Sequence, residues 1–174
     1  MHQAIRLLPL CLLLFAVNTK TSAQNLSFGS DKTFSGIIDS LELKVQNWAN
    51  KFIEVNSEKE FGQLVPFRKD LEHFIDTNIT RVLLIKDQVH SQLLCIAVLN
   101  LLIYEKSMIS KGYILFEKLT TNSTNEQINA AFKNLERLSE GESALMIKIA
   151  DAQKQFAQSN QIILTGTDST GTNK

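Results

Sequence analysis

Residues Leu93–Ile103 read LLCIAVLNLLI, and ten of these eleven residues are apolar. A run of that composition offers no polar face to water. It is shorter than the ~20 apolar residues that cross a bilayer, and Asn100 interrupts it. Gln88, Gln92, Glu105 and Lys106 bracket it, which predicts the buried centre of a longer helix. A helix that is apolar all round needs neighbours on every side, so the other long segments are expected to pack around it.

The chain is 174 residues long. Its start has the three-part order of a secretory signal peptide: Arg6, then the apolar Leu7–Val17, then the polar Asn18–Ala23 ending in a small residue. Cleavage is expected between Ala23 and Gln24, leaving an exported chain of periplasmic, cell-surface or secreted location with no transmembrane segment. Cys11 lies in the middle of the apolar run behind Leu10, which argues against lipid attachment. Cleavage removes Arg6 and Lys20 and no acid, leaving 16 basic against 18 acidic side chains. These are interspersed, so no basic stripe for nucleic acid and no polybasic patch for anionic lipid is expected. Cys95 then stands alone, and no intramolecular disulfide can form. It is expected to serve as a small core residue.

Outward from the apolar run, Phe34, Ile38, Leu41, Val45, Trp48, Phe52 and Val55 follow alternating steps of four and three. That seam predicts a helix over Asp31–Asn56. Ser57-Glu58-Lys59-Glu60 has the S-x-x-E form of a capping box and predicts the start of a second helix. Gly62 and Pro66 leave two versions of it, one kinked at Pro66 and one beginning near Leu64 with Pro66 in its first turn. Its stripe Leu71, Phe74/Ile75, Ile79, Val82, Ile85 reaches about Lys86. Asp87 is the expected cap of a third helix over Gln88–Leu119, weakened at Gly112. Thr124–Gln127 forms another capping box. It opens a fourth helix to about Asn160 on the seam Ile128, Ala131, Leu135, Leu138, Glu142, Leu145, Ile149, Ala152, Phe156. The tail from Thr165 has no apolar residue and is expected to be disordered. The fold class is therefore all-α, an antiparallel up-down-up-down four-helix bundle over residues 24–164.

Three features resemble a family of uncharacterised exported bacterial helical proteins that includes spirochaete surface proteins. They are a signal peptide followed by a helix near Asp31, the stretch AVLNLLIY at Ala97–Tyr104, and the ending AQKQFA at Ala152–Ala157. The resemblance implies an exported bundle of bacterial origin and brings no activity with it. The chain departs from lipid-anchored members in lacking a convincing lipidation site.

Glu142 breaks the fourth seam, beside Gly141. A carboxylate there is either buried with a partner or opens the bundle locally. Counting back through the turn between the last two helices sets it near Asn100, Tyr104 and Lys106, and a buried contact of Glu142 with Tyr104 or Lys106 is expected. Di-iron bundles build core sites from several carboxylates with Glu-x-x-His motifs. His73 and His90 have no Glu at that spacing, so no metal is expected. There is no C-x-x-C-H, GxSxG, Walker A or GxGxxG sequence. No catalytic residue and no cofactor is expected, and the chain is read as a non-enzyme. Asn25, Asn78 and Asn122 head N-x-S/T sequons in numbers close to chance. Trp48, Tyr104 and Tyr113 lie at or near seam positions and belong to the core. With no such signature, the chain is read as having a structural or protein-binding role, any unidentified protein partner meeting a helix face or the Gly62–Pro66 region. The alternatives are a carrier of a small apolar ligand in the bundle core (a lipid, or a b-type haem held by one His and Met108 or Met146) and a cytokine-type bundle. Absent disulfides and short crossovers argue against the second.

Overall fold

The computed structural model describes residues 29–85 and 92–159. Among them every long element is a helix and there is no strand, an all-α four-helix bundle. Helix α1 spans Gly29–Glu58 and α2 Val65–Ile85. Helix α3 spans Gln92–Glu117, with a π-helical turn at Ile109–Tyr113 inside it. The fourth helix is two segments, α4 (Asn125–Ser139) and α5 (Glu142–Ser159). The segment read as a signal peptide, Asp87, His90, Asn25 and the polar tail lie outside the described residues.

The α1 seam is the most regular. Phe34, Leu41, Trp48, Phe52 and Val55 are all buried, while Ile38 and Val45 are partly buried and Ile37 is fully packed. Toward the C-terminal end of α1 this face meets an aromatic cluster. The Trp48 ring stacks on Tyr113 at 4.2 Å between centroids. Phe52 meets Phe116 and Phe132 edge-on at 4.9 and 5.3 Å. Such offset and edge-to-face pairs add to the large area that aromatic burial removes from water.

The Ser57–Glu60 box does not open α2. Helix α1 continues through it to Glu58, and the Ser57 hydroxyl donates to the Glu54 carbonyl. Lys59 then takes φ 57°, and the Glu60 amide donates to the Val55 carbonyl at 3.2 Å. That 6→1 bond around a left-handed residue is a Schellman C-cap. The S-x-x-E spacing therefore stands at a helix end, because the backbone turns left-handed before a new helix can begin. A 3₁₀ turn, Phe61–Leu64, follows and buries both of its end residues. Helix α2 starts at Val65 with Pro66 in its first turn, the second of the two versions the sequence left open. A proline there loses no intrahelical hydrogen bond.

The Thr124–Gln127 capping box is present as expected. The Gln127 amide donates to Thr124 Oγ1 at 3.3 Å, and the Thr124 amide donates to Gln127 Oε1 at 2.9 Å.

Cross-helix pairs order the packing. Arg68 of α2 meets Glu117 of α3 at 2.6 Å, and Asp76 meets Lys106 at the same distance. Residue numbers thus climb along α2 as they fall along α3. Arg68 is buried and also holds Glu72 at 2.7 Å, so one guanidinium ties the start of α2 to the end of α3. In the π turn a Cβ on Gly112 would lie 3.0 Å from Leu135 Cδ1, so glycine lets α3 and α4 approach closely there. The Asn134 amide donates to the Lys111 carbonyl at 2.7 Å in the same turn.

Helix α3 is long and apolar enough to cross a membrane by length and composition alone. Most of it is packed against the rest of the bundle, and Leu94, Cys95, Val98, Leu101 and Leu102 are fully or nearly fully buried. The expectation of burial on every side fails, however. Leu93 is 58% exposed, Ile96 41% and Ile103 56%, and Asn100 lies between them exposed. Their spacing of three, four and three places them on one stripe of α3. With four helices in the bundle, the neighbours cover only part of α3's circumference.

Candidate functional site: a buried carboxylate pair at a helix break

The heptad spacing continues from Leu138 to Glu142, but the helix itself does not. Residues 140 and 141 form a turn between α4 and α5. In an unbroken helix the Leu138 carbonyl would accept from the amide of Glu142. Here the Tyr104 hydroxyl of α3 donates to the Leu138 carbonyl instead. Gly141 accommodates the same ring, because a Cβ built on it would stand 3.2 Å from Tyr104 Cε2. The break and Tyr104 therefore fit together, with a phenol satisfying a carbonyl at the end of α4.

The step of four from Leu138 keeps Glu142 on the core face, at the first position of α5. Glu142 is buried, the first of the two states open to a carboxylate on this seam. Its charged neighbour is Glu105, a residue that sequence reasoning assigned to the polar flank of the apolar run. Glu105 is only 2% exposed, and its Oε2 has no hydrogen-bond partner among the described residues. It sits three or four residues from Leu101, Leu102, Met108 and Ile109, all buried, so the 3.6-residue period carries it onto the core stripe of α3. That period was the signal in the sequence that could have found it.

Two carboxyl groups held together out of water cannot both ionise cheaply. Burial pushes the Glu105 carboxyl up to about 8, with the Glu142 charge adding to the shift. Burial likewise raises Glu142 to about 7. Near neutral pH the pair therefore retains protons that exposed glutamates would have released. The arrangement can hold and release protons inside the bundle.

Lys106 is not the partner of Glu142. Its ammonium binds Asp76 of α2 at 2.6 Å, at half exposure, since two residues beyond Tyr104 the helix has turned roughly 200° away. Tyr104 does reach the same neighbourhood, through Leu138 and Gly141. Asn100 lies on the exposed stripe. Cys95 is fully buried, Trp48 and Tyr113 are core residues, and His73 is exposed. Asn78 is buried and its side chain donates to the Phe74 carbonyl at 2.8 Å, so this sequon is a core residue rather than an open acceptor. Among the described residues no group of three His, Cys, Asp or Glu side chains is placed to hold a metal ion.

No family model matches the chain, and neither a curated protein nor a solved structure matches it.

Proposed function

We propose that this chain is an exported, non-enzymatic helical bundle that acts by binding another protein, and that the exposed stripe of α3 is the contact face. The observation that carries this reading is the stripe Leu93, Ile96, Asn100, Ile103 on the most apolar of the described helices. Single exposed leucines are ordinary on protein surfaces. Three aliphatic side chains aligned on one helix face, with an amide among them, have the form of a helix-packing seam in which the polar position sets register. The partner that fits is a protein offering an apolar helix face with a hydrogen-bonding group opposite Asn100. The export signal read in residues 1–23 supports an extracytoplasmic partner.

The test is site-specific photo-crosslinking in the source cells, with the crosslinker at Ile96 or Ile103 and a control at the exposed Asp151 on α5. A discrete protein adduct at 96 and 103, absent at 151 and lost when Leu93 is changed to Lys, supports the reading. Adducts that are equal at all three positions would count against it. Native mass spectrometry of residues 24–174, with a visible spectrum of the same sample, tests the carrier alternative. A stoichiometric small-molecule mass would replace the binding module with a carrier.

A further inference from the structure

The carboxylate pair stands where the fourth helix is interrupted, so its protonation bears on a joint rather than on the middle of a rigid rod. Glu105 is on α3, Glu142 is the first residue of α5, and the turn at residues 140–141 separates α5 from α4. Helix α5 packs chiefly on α3, while α4 has its own contacts with the π turn of α3. Among the described residues no cation is paired with either carboxyl. On α3, Lys106 turns away to Asp76. On α1, Lys44 is bound to Asp70, and Glu42 is itself an acid. On α2, Arg68 is bound to Glu72 and Glu117, and Asp76 is bound to Lys106. On α4, Arg137 is held by Asn134, and on α5 Lys148 is exposed. What acts on Glu105 is burial and the charge of Glu142, and what acts on Glu142 is burial.

We propose that Glu105 and Glu142 form a proton-operated latch between α3 and α5, closed while the pair retains protons and released when both carboxyls ionise, with α5 separating about the break at Glu140–Gly141. Two buried, interacting negative charges have no counter-ion among the described residues, and the least costly route to water is to move the segment that begins at Glu142. Helix α4 stays in place, because the capping box at Thr124, the Asn134–Lys111 bond and the Gly112 approach hold it independently of the pair. The orphaned Glu105 Oε2 is then the group that gains water on release.

Hydrogen exchange of the full chain, read by mass spectrometry on peptides from α5 and from α2, tests this at pH 6 and pH 8.5. Wild type is compared with Glu142→Gln at each pH, so that intrinsic exchange rates cancel. At pH 8.5 the wild-type α5 should exchange at least tenfold faster than α5 of the variant, with α2 matched between the two. At pH 6 both peptides should match. Equal α5 protection at pH 8.5, or a loss shared equally by α5 and α2, overturns the latch. Should Glu142→Gln fail to fold, Glu105→Gln takes its place. Failing both, the wild-type ratio of α5 to α2 protection must itself fall between pH 6 and 8.5.

Discussion

Replacing Glu105 by Gln should make the protein more stable in mild alkali and alter it little in mild acid. The Glu105 carboxyl, ordinarily near 4.5, is pushed up to about 8 in the folded chain. The unfolded chain has its ordinary value, so from about pH 4.5 upward the folded state holds a proton that the unfolded state has lost. By linkage, stability then falls as pH rises and the loss is complete only above the folded value. At about 1.4 kcal/mol per unit, the drop between pH 5.5 and 8.5 attributable to Glu105 is roughly 3 kcal/mol. Glu142, raised to about 7, adds about 2 kcal/mol over the same interval. Against a domain stability of roughly 5–15 kcal/mol, the pair governs a large share of the total. The assay is urea unfolding followed by the fluorescence of Trp48, the single tryptophan, which is buried in the aromatic cluster. Wild type should lose roughly 5 kcal/mol from pH 5.5 to 8.5 and Glu105→Gln only about 2. Parallel pH dependences for the two proteins would refute the reasoning, whatever their absolute stabilities.

Three further outcomes follow from local geometry. Lys59→Gly should raise stability by about 1 kcal/mol in urea titrations, because glycine relieves the left-handed conformation at the α1 C-cap. The gain will be reduced by loss of the Lys59 bond to the Ser123 carbonyl. Thr124→Ala removes one half of a formed capping box and should cost about 1 kcal/mol by the same titration. Cys95 is fully buried, so a thiol reagent should label the native protein slowly and the urea-unfolded protein at once.

Much of this fold was legible because its seams are simple. The four-three spacing on α1 named the buried face almost residue by residue, and the second capping box fell where the sequence put it. Glu142 stood out as a carboxylate on an apolar seam, and it is buried. Its partner was hidden for a physical reason. Glu105 directly follows Tyr104 at the edge of an apolar run, and runs are read linearly, whereas the 3.6-residue period wraps Glu105 back under Leu101 and Leu102. The break after Ser139 was hidden too, because the step from Leu138 to Glu142 preserves the seam whether or not the backbone is continuous. The S-x-x-E at Ser57 misled since its hydrogen bonds form only if the preceding helix has already stopped, and α1 had not. The outer face of α3 could not be assigned from composition, as a helix apolar on all sides carries no mark of which side its neighbours leave open.

The measurement that bears most directly on the proposed role is the photo-crosslinking of Ile96 and Ile103 against Asp151. One protein adduct shared by both stripe positions and missing at the control is the predicted result. A stripe that captures nothing beyond the control, in cells where the protein is present and folded, would contradict the account.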